Sequence, residues 1–307
     1  MSTIREILVD SERRLSRAGI DSASVESAQM LAHVLGVPRN RLLLQDHLEE
    51  EHRITFERLM AQRLNRIPLQ HLLGKAPFRY LELAVGPGVF IPRPETELVA
   101  EAAIRHLRAC DNPRAFDLCA GSGAIALSMA TEVPGAQITA VELSEDALPW
   151  ITQNIKEVAT DMTVALIAAD ATDLSNPLIL EAAGTCDVVT CNPPYIPTNM
   201  VPRDPEVRDH EPSMALYGGQ DGLEVVRGIV MTAGLLLKRG GLLVIEHADV
   251  QGPESVNGGV VAVVREAVVP AGMAEYIAGV PGTAMFTDID DRQDYNQLPR
   301  FTMALRA

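Results

Sequence analysis

The sequence predicts an α/β protein in which a mostly parallel, twisted sheet with helices on both faces follows a small all-helical bundle and a β-hairpin linker. Up to about residue 75, apolar residues recur at helical spacing. Short apolar runs then flank a Gly-Pro-Gly turn at residues 86–88. Beyond that turn, strand-like and helix-like runs alternate, which is the pattern of a parallel sheet covered by helices.

Composition and charge restrict the class of protein. The chain has 307 residues, 47% hydrophobic and 22% charged, which excludes wholesale disorder and suggests about two domains. The 26 Lys+Arg and 41 Asp+Glu residues give a net charge of −15, which argues against a protein that works mainly on nucleic acid or anionic lipid.

Targeting signals and cysteine spacing point to a compartment. No secretory or transit segment and no membrane-length apolar run is visible, and the four cysteines form no CxxC pair. We therefore expect a reduced, cytoplasmic protein with no metal site and no membrane association.

Three segments are predicted along the chain. Residues 1–75 carry four helical patterns and form the bundle, and residues 76–91 form the hairpin linker. Residues 92–307 form the α/β domain. Its strand-like runs are residues 114–120, 137–143, 163–169, 187–194 and 241–248, with helices near 123–132, 145–158 and 222–238, and edge strands within 274–280, 284–290 and 300–307.

A glycine turn follows the first predicted strand of this domain. Ala120, Gly121, Ser122 and Gly123 lead into an apolar helix, so backbone N–H groups at a helix start can face a ligand. The next strand ends in Glu142, where a carboxylate can take both hydroxyls of a ribose. The third strand leads to Asp170, close enough for a side chain to reach an adenine edge.

The glycine turn alone does not identify the cofactor, because the turn also fits the loose GxGxxA form of a dinucleotide fingerprint. A glycine turn of this kind can also serve helix packing alone. Asp117 lies just before the turn, where an anion repels a diphosphate but suits a cationic ammonium or sulfonium. S-adenosylmethionine is therefore favoured over a pyrophosphate cofactor. The alternative for Asp117 is a carboxylate that caps backbone N–H groups.

The most specific motif follows the fourth strand. Asn192, Pro193, Pro194 and Tyr195 lie where a doubly wound sheet brings this strand beside the first one, so they face the same crevice as the glycine turn. The Asn192 side-chain oxygen and the Pro193 carbonyl can accept one hydrogen each from a planar NH₂ group, and the Tyr195 ring can lie against its plane. A turn that is merely rigid is the alternative.

This arrangement suits methylation of a weakly nucleophilic nitrogen. The lone pair of an amide or aromatic amine is delocalised, so two acceptors on its hydrogens orient it and stabilise the positive charge that develops. No strong general base is required before methyl transfer, and these motifs contain no obvious one.

Together the glycine turn, Glu142 and the NPPY motif resemble a class I methyltransferase of the (D/N)PPY type, with a Rossmann-like fold. Residues 66–99, the stretch from Glu211 to Leu223 and GGLLVIEHADVQG resemble the HemK/PrmC family of release factor glutamine methyltransferases. The resemblance is strong over about residues 65–250 and weaker at both ends.

The resemblance implies an activity, a cofactor and a partner. It implies transfer of a methyl group from S-adenosylmethionine, leaving S-adenosylhomocysteine, to the side-chain amide of the glutamine in the GGQ motif of class-1 peptide chain release factors. The bundle would help to dock that partner. The implied cofactor-binding residues are Asp117, Ala120, Gly121, Ser122, Gly123, Glu142, Asp170, Ala171 and Asn192. The implied catalytic residues are Asn192, Pro193, Pro194 and Tyr195, which also bind substrate with Phe90, Arg93 and Glu95.

The sequence departs from the family at a few positions. Cys119 stands where the glycine turn usually begins with a further glycine, and its Cβ is tolerable if φ is negative. Ala171 replaces a large side chain found in some relatives, and residues 288–301 match the family ending only loosely. Gly218-Gly219-Gln220 spells the substrate motif, which we attribute to a chance Gln in a Gly-Gly turn.

Four alternatives remain open. A ribosomal-protein glutamine would be held by NPPY equally well. A nucleic-acid adenine-N6 methyltransferase is opposed by the charge of −15. A non-catalytic adaptor leaves the intact motifs without a purpose, and a nicotinamide enzyme leaves NPPY unexplained.

Overall fold

The computed structural model describes residues 3–45, 47–159, 164–273, 275–277 and 279–307, and it has the predicted sequence of a helical segment, a hairpin and an α/β segment. The chain divides into two units. One unit consists of Met1–Lys75 with Pro202–His210, and the other of Ala76–Val201 with Glu211–Ala307.

The first unit is helical. Thr3 and Glu6 form a capping box that starts the first helix, and Gly36 ends the second one in the left-handed conformation at φ 62°. The apolar faces of the helices pack around Leu15, Met30 and Phe56. Its helices are α1 (Ile4–Arg17), α2 (Ala23–Leu35), a 3-10 helix (Arg39–Leu44), α3 (Glu50–Leu64), α4 (Leu69–Leu73) and, later in the chain, α9 (Pro205–His210).

Ion pairs explain why residues 202–210 belong to this unit. The Arg63 guanidinium lies 2.5 Å from Glu26 and 2.8 Å from Glu206, and Arg66 lies 2.7 Å from the same Glu206. Arg63 is only 4% exposed, so its charge is stable there because two carboxylates face it.

The hairpin linker exists, but its predicted turn is wrong. Strands β1 (Lys75–Phe78) and β2 (Leu81–Ala84) are joined at Arg79 and Tyr80, not at Gly86-Pro87-Gly88. Arg79 takes the left-handed conformation at φ 51° without being glycine. Its backbone N–H donates to Glu97 at 2.9 Å, and its guanidinium pairs with Glu101 and Glu132, which hold the turn in place.

The Gly-Pro-Gly turn instead packs against a helix of the α/β unit. A Cβ at Gly86 would lie 2.4 Å from the Trp150 ring, and the Trp150 indole N–H donates to the Pro87 carbonyl at 3.2 Å. Val85, Val89 and Ile91 are buried with Trp150 in one apolar cluster. This contact fixes the course of the chain toward residues 90–96.

The second unit is built on a seven-stranded sheet of order β5-β4-β3-β6-β7-β9-β8. Strands β3 to β7 pair in parallel, and β9 and β8 add antiparallel pairs. The strands are β3 (Arg114–Leu118), β4 (Gln137–Glu142), β5 (Val164–Ala168), β6 (Cys186–Cys191), β7 (Leu237–Glu246), β8 (Phe286–Gln293) and β9 (Pro299–Arg306).

The C-terminal expectations are confirmed in part. Residues 284–290 and 300–307 do contribute to the strands β8 and β9. The predicted strand at 274–280 is wrong over its described residues, because residues 275–277 form a turn and residues 279–280 belong to no strand; Ala274 and Ala278 lie outside the described residues. The predicted strand at 163–169 is present as β5, and its first residue, Thr163, lies outside the described residues.

Helices cover both faces of the sheet, as predicted. Because side chains alternate along a strand, neighbouring residues enter different cores: Phe116 and Leu118 lie in one, and Ala115 lies in the other. The helices are α5 (Thr96–Leu107), α6 (Ala124–Glu132), α7 (Leu148–Val158), α8 (Pro177–Glu181), α10 (Ser213–Leu216), α11 (Glu224–Leu236) and α12 (Gly259–Glu266), with 3-10 turns at Asp249–Gln251 and Ala271–Met273.

Candidate active site

The predicted site residues of the two motifs meet at the carboxyl edge of the parallel strands. β3 pairs with β6 so that Leu118 lies opposite Cys191, which places the glycine turn beside Asn192. β4 pairs with β5 so that Glu142 lies opposite Ala168, just before Asp170. This edge, at the point where strand order reverses, is where open α/β sheets bind ligands.

The glycine turn is tightly coiled. Cys119, Gly121 and Gly123 all have positive φ, at 58°, 57° and 83°. A Cβ at Gly123 would lie 3.0 Å from Ile151, whereas one at Gly121 would meet nothing within 4 Å. Gly123 therefore allows close packing of the helix, and Gly121 leaves open space beside the backbone.

Cys119 does not have the negative φ under which its Cβ would be tolerable without strain. The residue is in the left-handed region, which costs an L-residue with a Cβ roughly 1–2 kcal/mol. Its side chain packs against the core cluster that contains Cys191, and the Ala120 N–H donates to the Val141 carbonyl at 3.0 Å. These contacts hold the turn against the strain.

The Glu142 carboxylate holds the turn from the neighbouring strand. One oxygen accepts from the Gly121 N–H and the other from the Ser144 N–H, each at 2.7 Å. Glu142 is 8% exposed at the end of β4. It lies between the glycine turn and the loop after β4, as a ribose-binding carboxylate requires.

Asp117 makes the contacts of a carboxylate that caps a backbone N–H group, which was the alternative to a cofactor contact. Its two oxygens accept from the Ala126 N–H at 3.0 Å and the Thr190 hydroxyl at 2.8 Å, and the residue is 1% exposed. The pKa of Asp117 is raised to about 7: burial is the main cause and the Glu142 charge adds to it, while the hydrogen bonds from Thr190 and Ala126 act in the opposite direction. These bonds join β3, α6 and β6 beneath the turn.

The remaining predicted cofactor residues lie on the same edge. Ser122 is buried, and its carbonyl accepts from the Asn154 amide at 2.9 Å. Asp170 is exposed and one of its oxygens accepts from both the N–H and the hydroxyl of Thr172. Ala171 is buried, with its carbonyl accepting from the Thr232 hydroxyl at 2.7 Å.

The NPPY motif leaves the end of β6 without a helix or strand of its own. The Asn192 amide N–H donates to the Thr96 hydroxyl at 3.4 Å, which leaves the Asn192 oxygen as an acceptor. Burial raises the pKa of the Tyr195 hydroxyl, and the Glu246 carboxylate raises it further. The Tyr195 ring is therefore a neutral surface.

Two later segments, the turn at residues 218–222 and Gln251, support this motif. A Cβ at Gly218 would lie 2.3 Å from the Pro194 carbonyl, and one at Gly222 would lie 2.3 Å from the Tyr195 carbonyl. The Gln251 side chain donates to that same Tyr195 carbonyl at 2.9 Å. These approaches explain the Gly-Gly turn, whose Gln220 is exposed and donates its N–H to Glu224.

The predicted substrate residues lie before α5. The Arg93 guanidinium is 4.8 Å from the centre of the Phe90 ring and 2.5 Å from Glu211. Glu95 precedes α5, and its charge acts on both Tyr195 and Glu246. Residues 90–96 thus lie near the NPPY motif.

Sequence reasoning missed Gln251 and Glu246 as site residues. Both lie within GGLLVIEHADVQG, where the pattern shows only a buried strand and its exit loop. A buried carboxylate at the end of an apolar parallel strand is the signal that could have found Glu246, because such strands end at the ligand edge.

Over the described ranges, no three His, Cys, Asp or Glu side chains are grouped so as to hold a metal ion. Within the same part of the chain, every helix is too short or too polar to cross a membrane.

The sheet order and the glycine turn define the fold as that of class I methyltransferases. The profile described as the PrmC N-terminal domain matches residues 6–74, and that described as Conserved hypothetical protein 95 matches residues 73–207. Among curated proteins, the release factor glutamine methyltransferase of Streptomyces coelicolor is 40% identical over 310 residues, covering 100% of this chain and 99% of that protein. That of Mycolicibacterium smegmatis is 40% identical over 306 residues, with the same coverage.

The chain belongs to the release factor glutamine methyltransferase family. Among solved structures, a release-factor-specific protein-(glutamine-N5) methyltransferase from Alicyclobacillus acidocaldarius is similar with 25% identity and a TM-score of 0.38. The match covers 72% of this chain and 98% of that one.

Proposed function

We propose that this protein transfers a methyl group from S-adenosylmethionine to the side-chain amide nitrogen of the glutamine in the GGQ motif of class-1 peptide chain release factors. The observation that carries the proposal is the register of Leu118 with Cys191, since it puts the NPPY motif beside the glycine turn. Family membership over the whole chain supports the same reaction.

The residues present fit the cofactor. The open space beside Gly121 and the Glu142 carboxylate at the end of β4 suit a nucleoside with a short charged tail. Asp170 and Ala171 lie where the adenine would be. S-adenosylmethionine supplies an electrophilic methyl group at this edge.

The NPPY residues act on the nucleophile. The Asn192 oxygen and the Pro193 carbonyl accept the two hydrogens of the glutamine NH₂ group, which fixes the nitrogen and lowers the energy of the charge that develops on it. The Tyr195 ring, kept neutral by burial, covers the face of the amide. Most of the rate enhancement then comes from positioning.

Each of the three predicted segments has a role in this proposal. Residues 1–75 form the domain that helps to dock the release factor, residues 76–91 link it, and residues 92–307 catalyse the transfer. A cytoplasmic location fits a partner that works in translation, and the net charge of −15 favours a protein over a nucleic-acid substrate.

The test is a radiolabelled methyl-transfer assay with purified protein. A release factor with an intact GGQ motif should be labelled, and the same factor with Gln→Ala in that motif should not. Equal labelling of both factors would overturn the proposal. A ribosomal protein and an adenine-containing duplex serve as competing substrates, and steep loss of activity with added salt would point to the duplex.

A further inference from the structure

A buried carboxylate lies at the active-site edge without a hydrogen-bond donor of its own. Glu246 is the last residue of β7 and is 0% exposed. Neither of its oxygens meets hydrogen-bond geometry with a donor of the described chain, although the Thr96 hydroxyl lies close enough to act on its charge. Buried charges are normally paired, so an unpaired carboxylate in a binding crevice calls for a functional explanation.

The strand register places this carboxylate beside the NPPY motif. β6 and β7 pair in parallel with Cys191 opposite Ile245, so the next residues on each strand are Asn192 and Glu246. β7 also pairs with β9, which puts Phe301 opposite Glu246 and closes its other side.

The Thr96 hydroxyl lies between these two side chains. Thr96 is the first residue of α5, 3% exposed, and accepts from the Asn192 amide at 3.4 Å. The same hydroxyl is close enough to Glu246 to favour its charged form. Glu246, Thr96 and Asn192 therefore form a row that ends at the proposed substrate acceptor.

A hydroxyl has only one hydrogen, so its direction decides which end of the Asn192 amide it can bind. When the Thr96 hydrogen points to a charged Glu246, the oxygen offers lone pairs to Asn192, and only the NH₂ end of that amide can pair with them. The Asn192 oxygen then faces the crevice, where the glutamine NH₂ group needs an acceptor.

We propose that Glu246 is a positioning residue that sets the orientation of the Asn192 side-chain amide through the Thr96 hydroxyl. The inference rests on the proposed function. It adds the group that turns the oxygen of the Asn192 amide, and not its NH₂ end, toward the substrate glutamine. A protonated Glu246 would donate to Thr96 instead, and the reversed hydroxyl would draw the Asn192 oxygen away from the substrate.

Charged groups from every packed element act on Glu246. Glu95 before α5 raises its pKa, and Arg300 on β9 and Arg93 lower it. Tyr195 on the loop after β6 faces it as a neutral hydroxyl. Burial is the largest effect, and together they bring the pKa of Glu246 to about 7.

The first test replaces Glu246 with its neutral isostere. Glu246→Gln removes the negative charge that holds the Thr96 hydrogen on its side, so we expect kcat for methyl transfer to fall about 100-fold, the scale of a misplaced reacting group. The dissociation constant of S-adenosylmethionine should change less than about threefold, because Glu246 acts on the nucleophile side. Wild-type kcat should rise with pH through about 7, and this limb should be absent from the variant.

A second pair of variants tests whether Glu246 acts through the Thr96 hydroxyl or only supports the local structure. Thr96→Val removes the hydroxyl at constant shape and should cost as much as Glu246→Gln, whereas Thr96→Ser keeps the hydroxyl and should retain most activity. The double variant Glu246→Gln/Thr96→Val should be no worse than either single one. Fully multiplicative losses, or a wild-type kcat in Glu246→Gln, would overturn the proposal.

A readout without substrate separates this inference from the proposed function. In ¹⁵N NMR spectra the side-chain NH₂ signals of Asn192, assigned by their loss in Asn192→Ala, should titrate near pH 7 in the wild type and not in Glu246→Gln. Signals that stay fixed in the wild type would overturn the inference even if the GGQ glutamine is methylated. Titrating signals with no methyl transfer would overturn only the proposed function.

Discussion

Glu142 ends β4 and Asn192 follows β6 at the same crevice. Because the proposed function gives them different partners, the cofactor and the glutamine, their loss should affect different constants. Glu142→Ala removes the acceptor at the end of β4, and we expect the dissociation constant of S-adenosylmethionine to rise about 10–100-fold. Asn192→Ala should lower kcat about 100-fold or more while cofactor affinity changes only modestly. Calorimetry and single-turnover transfer measure the two constants.

Each of these variants has a matched control. Glu145→Ala removes an exposed carboxylate three residues from Glu142, and Asn199→Ala removes an exposed amide from the loop after NPPY. Both controls should behave as wild type. Loss of cofactor binding in Asn192→Ala, with the fold intact, would contradict the division of roles.

At single residues the sequence predicted position better than conformation or contact. It placed Asp117, Glu142 and Asn192 at the ends of neighbouring strands, because strands and their order follow from apolar patterns. It could not predict that both oxygens of Asp117 bind within the fold, since Thr190 is 73 residues away. The left-handed Cys119 was unpredictable for the same reason: packing from other strands enforces it.

The hairpin shows how an element can be right and its turn wrong. Gly-Pro-Gly is a strong local turn signal, but the chain turns two residues after Pro77, at a non-glycine position. Arg79 holds that turn through contacts with helices 18 to 53 residues away. Local propensity cannot report such contacts.

Arg79 should therefore be important for stability. Its side chain is 11% exposed and lies 2.5 Å from Glu132 and 2.8 Å from Glu101. Arg79→Ala removes the nearest cation from two partly buried carboxylates, which keep only the exposed Arg105 and Arg108 at 3.4 and 3.7 Å. We expect a loss of about 2–3 kcal/mol in the free energy of unfolding by urea.

The control for Arg79 is an arginine on the adjoining helix. Arg105 is 79% exposed and meets Glu101 at 3.4 Å, so Arg105→Ala should cost less than about 0.5 kcal/mol. If both variants lost the same free energy of unfolding, burial of the Arg79 ion pairs would add no stability to the hairpin.

For the whole molecule, two buried acids make stability depend on pH. The pKa values of Asp117 and Glu246 are both raised to about 7, from 3.8 and 4.5. A raised pKa means that the folded state binds more protons than the unfolded one between those values. The contribution of these two groups to the free energy of unfolding is therefore largest below about pH 4, and it is lost as the pH rises through 7.

Glu246→Gln isolates one half of this effect. The variant cannot ionise, so its free energy of unfolding relative to wild type should increase by about 2–3 kcal/mol between pH 5 and pH 8. Urea unfolding at several pH values measures this difference. A difference that stays constant across that range would mean that Glu246 ionises equally in both states.

At the scale of the whole chain, the sequence predicted the fold class, the placement of the fourth parallel strand beside the first, and the helices on both faces. The alternation of strand and helix patterns comes from the sheet as a whole, and it can be read from a single sequence. The transfer of residues 202–210 to the helical unit was not predicted, because it depends on Glu206 meeting Arg63 and Arg66. Ion pairs between distant segments produce no periodic pattern in the sequence from which they could be predicted.

The position of β9 between β7 and β8 has a consequence for synthesis on the ribosome. Residues 286–293 emerge before residues 299–306, yet β8 joins the sheet only through β9. Until the later strand is translated, the open edge of β7 ends beside Glu246 with no Phe301 to cover it. The nascent α/β unit therefore finishes its catalytic crevice only after its last strand has left the exit tunnel.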